Sequence, residues 1–237
     1  MMTIELFDYR DADTLLQAGV AFPEGEGQAP AVLIVHQWAG RGEGEHKTAE
    51  RLAELGFVGI AMDMFGKDVK GDPSGDNSHL IGPFLSNRAA LLQRVRAAVA
   101  FAAPLDRVDA SRIAVIGYCF GGLCALDLAR GGADGVLGVV SLHGMLDGND
   151  LAPDGPIAAK VLVEHGWRDP LAAPDKVLAF AGEMAARDAD WQLHAHGRAM
   201  HAFTNTHAAA LDKGMAYDAD ADRRSWESVT AFLAELF

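Results

Sequence analysis

Cys119 stands in Gly117-Tyr118-Cys119-Phe120-Gly121, a G-x-C-x-G pattern between the apolar run RIAVIG and the segment FGGLCALDLARG. A thiol exposed on a sharp strand-to-helix turn needs small residues two positions before and after it, where side chains would collide. Gly117 and Gly121 meet that need. A helix opening just past the thiol would aim free N–H groups at it, favouring thiolate and steadying a developing oxyanion. This is the framing of a nucleophile for a carbonyl carbon. Cys124, five residues on, has no such frame and reads as a small core residue.

A nucleophile of this kind needs a base, and the base needs an orienting acid. On such turns the chain order runs nucleophile, acid, histidine. Asp169 in HGWRDP lies 50 residues after Cys119, and His201 in GRAMHAFTN lies 32 further on. Each alone is an ordinary loop residue. Together, each after its own apolar run, Cys119, Asp169 and His201 form a candidate triad. The Phe120 N–H and an N–H of Gln37 or Trp38 are candidate oxyanion donors, with His36 beside them as a further candidate substrate-binding residue. Among the other histidines, His143 and His165 end strands and could line a pocket. His46, His79, His194 and His207 read as surface or packing residues, and His196 lies too near a strand end to reach back over the thiol.

The elements that must position these residues alternate. Apolar runs at 15–22, 31–37, 57–63, 112–117, 135–144, 160–166 and 191–197 read as strands. Helical spacing covers 44–56, 86–103 with Ser86 as a possible cap, the segment after Cys119, PDKVLAFAGEMAARD and RRSWESVTAFLAEL. The stretch 65–84, rich in Gly, Asp, Pro and Ser, reads as a long surface loop. Strands without polar alternation are buried on both faces, so the expected fold is α/β, a mostly parallel doubly wound sheet with helices on both faces. Such sheets bind ligands at the carboxyl ends of their strands, where the candidate triad falls. One domain over residues 1–237 is the economical reading.

Composition narrows the function classes. Of 237 residues, 50% are hydrophobic and 22% charged, enough for a sizeable core. A net charge of −13 with no basic cluster argues against nucleic acid as a partner. The first residues carry acids early and do not resemble a secretion signal, and no apolar run approaches the roughly 20 residues of a membrane span. A cytoplasmic protein without membrane partners is expected. The two cysteines have neither disulfide nor zinc-site spacing, so no metal and no cofactor are called for. Oligomeric state has no signature in the pattern.

Through VLIVHQWAG, RLAELGFVGIAMDMFG, IAVIGYCFGG, HGWRDP and MHAFTN the chain resembles the dienelactone hydrolase family of α/β-hydrolases along nearly its whole length. The resemblance implies the α/β-hydrolase fold, a Cys-Asp-His triad at Cys119, Asp169 and His201, and hydrolysis of small esters or lactones through a thioester acyl-enzyme. Members commonly carry a glutamate in an HE or QE pair, to which the resemblance gives a part in controlling thiol protonation. Here the pair is His36-Gln37, and glutamine takes no proton, so His201 would act without that help. Arg88 reads as part of a solvated helix face, and Thr204 and Asn205 follow HAF where the namesake has an arginine. Gln37 also motivates a second reading, a non-catalytic or redox-sensing thiol protein on the same scaffold. Pocket shape, and with it the ester or lactone preferred, would be set by loops 65–84 and 145–158.

Overall fold

The structure, a computed structural model, describes residues 3–132, 134–149 and 155–237. Strands β1 (Ile4–Asp11) and β2 (Thr14–Ala21) form an antiparallel hairpin at one edge of the sheet. They are followed by β3 (Ala29–Val35), β4 (Val58–Ala61), β5 (Val108–Tyr118), β6 (Val136–Leu142), β7 (Lys160–Gly166) and β8 (Trp191–His196). The sheet order is β1-β2-β4-β3-β5-β6-β7-β8, with β2 antiparallel to β4 and every later pairing parallel. Helices α1 (Glu43–Glu54), α2 (Ser78–Ser86), α3 (Arg88–Ala102), α4 (Phe120–Arg130), α5 (Pro174–Ala186) and α6 (Ala219–Leu236) connect and cover it.

Successive strand residues face opposite ways, and both ways lead into core. Ala31, Leu33 and Val35 of β3 pack with residues of α3, α4 and α5, while Val32 and Ile34 pack with α1 and α6. Each fully buried Leu, Val or Ile withdraws enough surface to contribute about 1.5–3 kcal/mol. The expected doubly wound sheet is therefore the observed one, and the α/β-hydrolase fold follows from its strand order. No helix among the described residues is long and apolar enough to cross a membrane.

Three local expectations change. The stretch 65–84 is not loop throughout: α2 begins at Ser78 and tolerates Pro83 inside it. Its Phe84 reaches back to Phe65 and Phe120, with ring centroids 6.2 and 6.0 Å away. The cap of α3 is Asn87, whose Oδ1 accepts the Ala90 N–H at 3.1 Å, rather than Ser86. Arg88 is no solvated face. Its guanidinium grips the fully buried carboxylate of Asp127 on α4 through Nε and, at 2.6 Å, through a terminal nitrogen. Arg130, also fully buried, joins Asp127 to Glu183 of α5 and donates to the carbonyls of Leu146 and Asp147. Of the loop 145–158, residues 150–154 lie outside the described residues.

Candidate active site

The carboxyl ends of β5, β7 and β8 bring the three candidate residues together. Cys119 sits between β5 and α4 with φ 55° and ψ −114°, a left-handed backbone that a side chain tolerates only on a turn held from both sides. Its flanking glycines have no room for anything larger. A Cβ on Gly117 would lie 1.9 Å from the Gly121 carbonyl oxygen, and one on Gly121 would lie 2.2 Å from the Val35 carbonyl oxygen. The collision expected across the turn is thus real, and Gly121 also presses the start of α4 against the end of β3.

His201 follows β8 on a loop pinned by backbone bonds, its N–H donating to Gly214 and its carbonyl accepting from Ala216. The Nδ1–H donates to Asp169 Oδ2 at 2.7 Å, and Nε2 lies 3.0 Å from Cys119 Sγ. Asp169 is held by its own turn, Oδ1 accepting the Leu171 N–H at 2.8 Å. Both Asp169 and His201 are 2% exposed, so the ion pair between them is sheltered from water. Burial on its own would lower the basicity of His201. Interaction with Cys119 and with the Asp169 carboxylate outweighs burial and lifts His201 to about 10.

The first N–H groups of any helix lack intrahelical acceptors. At α4 the amides of Gly122 and Leu123 bend back to the Cys119 carbonyl, which leaves those of Phe120 and Gly121 without an acceptor among the described residues. The amides of Gln37 and Trp38 are likewise without one, on the loop that Gly121 touches. Unpaired N–H groups thus lie both at the start of α4 and on the loop after β3. The Gln37 side chain makes no hydrogen bond among the described residues; the thiol's partner is His201.

The remaining candidates fall into place around this core. His36 lies beneath the loop rather than on its surface: it is fully buried, Nδ1–H donating to the Gln37 carbonyl and Nε2 accepting the Met64 N–H. Both ring nitrogens are spent on backbone, so His36 holds the loop after β3 and offers no polar atom to a ligand. His143 and His165 are buried as well, at 0% and 1% exposure, and neither lines an open surface. His194 and His196 share the buried Glu164 at 2.9 and 2.7 Å. Cys124 is core, its thiol pushed well above the ordinary range by burial. No group of three or more His, Cys, Asp or Glu suited to a metal ion occurs among the described residues.

The sequence profile of the "Dienelactone hydrolase family" matches residues 16–237. The chain is 34% identical to a dienelactone hydrolase-like promiscuous phosphotriesterase from metagenomic libraries, a solved structure that superposes with a TM-score of 0.93 over 100% of this chain and 99% of that one. It is 26% identical over 91% of its length to 88% of a Bradyrhizobium protein named "Probable 2-oxo-3-(5-oxofuran-2-ylidene)propanoate lactonase". It is also 38% identical over 62% of its length to 94% of an uncharacterised Caenorhabditis elegans protein.

Proposed function

Because the chain belongs to the dienelactone hydrolase family and is with it a hydrolase acting on ester bonds, we propose that it cleaves small carboxylic esters or lactones through a thioester on Cys119. The observation that carries this reading is the unbroken contact from Asp169 through His201 to the Cys119 sulfur, at 2.7 and 3.0 Å.

The steps follow from where the proton sits. His201 Nε2 holds the proton of the Cys119 thiol, and the sulfur adds to the substrate carbonyl carbon. The carbonyl oxygen takes the electron pair and is met by the N–H of Phe120, with Gln37 or Trp38 from the opposite loop. Collapse of this adduct breaks the acyl C–O bond, and the departing alkoxide takes the proton from His201. In a lactone that alkoxide stays tethered to the acyl group. Water then adds to the thioester carbon as His201 takes its proton, the C–S bond breaks, and the acid leaves.

Loss of the sulfur's negative charge on acylation matters here. Interaction with Cys119 is the largest of the influences that raise His201, ahead of the Asp169 hydrogen bond. Once the sulfur is acylated that influence vanishes, and His201 becomes able to accept the water's proton. One histidine thus serves as acid in the first half and base in the second, without an acid at position 37.

A pH profile tests the assignment. The free enzyme must deliver a proton from His201 to an alkoxide, so kcat/KM for an unactivated alkyl ester or lactone is expected to hold through neutral pH. It should fall only as pH rises toward about 10, where His201 loses that proton. An alkaline fall centred near an ordinary histidine value would contradict the ion pair. A panel of esters and lactones supplies the substrate, with a phosphotriester added because one close relative is described as hydrolysing that class. Paired with His201 and Asp169, and with Cys124 buried, Cys119 is equipped for hydrolysis beyond what an idle or redox-sensing thiol requires.

A further inference from the structure

His143, the first residue after β6, takes no part in the steps above. Its fully buried ring stands edge-on to that of His201, with centroids 5.4 Å apart and planes at 72°. Phe203 meets the same ring at 5.1 Å and 81°. Its Nε2 lies 2.8 Å from Thr204 Oγ1, while Nδ1 has no partner among the described residues. A buried N–H without an acceptor is the rarer fault in proteins, so the proton belongs on Nε2, donating to the threonine hydroxyl.

His201, Phe203 and Thr204 all sit on the loop after β8. One side chain at the end of β6 therefore grips that loop at three points. The grip is built on a fixed backbone, because His143 has φ 41° and its N–H donates to the Glu164 carbonyl at 2.8 Å. A left-handed conformation at a histidine is uncommon and persists where surrounding structure imposes it.

We infer that His143 is a positioning residue, whose ring contact with His201 and hydrogen bond to Thr204 keep His201 Nε2 on the Cys119 sulfur. The inference rests on reading Cys119 and His201 as the reacting pair. Burial first, and then the charge of His201, drive His143 well below an ordinary histidine, so it does not compete for the proton. The other groups facing the pair are Asp169 and Cys119 on His201 and the Tyr118 ring, 6.0 Å from His143. The Glu164 carboxylate is occupied by His194 and His196.

The test follows alkylation of Cys119 by iodoacetamide as a function of pH, which requires no ester, beside kcat and KM for an ester. His143→Phe keeps a ring and removes the N–H; Thr204→Val removes the acceptor; Thr204→Ser keeps it. Slack in the His201 loop should slow alkylation at neutral pH by about ten-fold in His143→Phe, since small misplacements of a catalytic pair are amplified in rate. The smaller loss in Thr204→Val should be absent in Thr204→Ser, the alkylation profile should move to higher pH, and kcat should fall with KM unchanged. A folded His143→Phe protein with the wild-type alkylation profile overturns the inference. If that variant does not fold, identical profiles for Thr204→Val and Thr204→Ser overturn it. Shifted profiles with no ester turnover even in the wild type would uphold the positioning role and reject the hydrolase reading, whereas turnover with unshifted profiles would do the reverse.

Discussion

Cys119→Ala is expected to lower kcat for any ester or lactone the protein hydrolyses by about ten-thousand-fold or more, because members of a triad act as a unit and removing one forfeits most of their joint effect. The loss should be catalytic rather than structural. Cys119 is partly exposed, its backbone N–H donates to the Leu142 carbonyl whatever the side chain, and alanine keeps the small volume the turn requires. KM should stay close to the wild-type value, since binding groups around the turn are untouched. Steady-state rates on the best substrate of the panel, with a thermal melt as a folding check, provide the measurement. A folded variant retaining a tenth of the activity would remove Cys119 from the mechanism.

The second large effect lies behind the site rather than in it. Asp127→Ala is expected to destabilise the fold by about 3–5 kcal/mol, because it strips a buried ion network of its central carboxylate. Asp127 is 0% exposed and accepts from Arg88, from Arg130 at 3.4 Å and from Asn149 at 2.7 Å. Arg130 would keep Glu183 and two backbone carbonyls, but its positive charge and that of Arg88 would lose the anion they share. Against a total stability of about 5–15 kcal/mol this is a large fraction. Urea unfolding should show a lower midpoint with an unchanged slope, and a loss under about 1 kcal/mol would mean the network is solvated in solution. Replacing Arg88 and Asp127 together by apolar residues should cost less than Asp127→Ala alone, because no charge is then left buried without its partner.

The two effects share a helix. α4 follows the Cys119 turn at its first residue and carries the ion network near its last, so the helix that presents Cys119 is anchored at its far end to α3 and α5. The network ties the neighbouring helices to α4, while Gly121 lets its other end approach the Val35 and His36 carbonyls at the end of β3.

What could be read from sequence followed burial. β3, β5, β6 and β7 are covered on both faces and therefore appear as continuous apolar runs, which the chain shows plainly. β1 escaped that reading because it is an edge strand, paired only to β2, with Glu5 and Leu6 facing water and no clean alternation to mark it. α2 was hidden by Gly82-Pro83, which breaks most helices; its short length and the packing of Phe84 on Phe65 and Phe120 sustain it instead. Arg88 misled because helical periodicity reports the apolar stripe, whereas its partner Asp127 lies 39 residues away on another helix.

The candidate site was legible where chemistry restricts residue type at fixed spacing. Glycines two positions either side of a cysteine are demanded by sterics, and the order nucleophile, acid, histidine by topology. His143 had only a faint signal, a histidine-glycine pair closing a strand, repeated at His165-Gly166. Its contact with His201 arises from loops that meet only in three dimensions. Gln37 takes no proton, and the polar neighbour of the Cys119 sulfur is His201, itself bonded to Asp169.

The most direct test of the central claim is to quench the enzyme in acid during turnover of an ester or lactone and locate the acyl group by mass spectrometry of the digested protein. The account predicts a thioester of the substrate's acyl mass on the peptide containing Cys119, absent from Cys119→Ala. Turnover at full rate with no acyl group on Cys119 under any quench time, or with the acyl group on another residue, would contradict it.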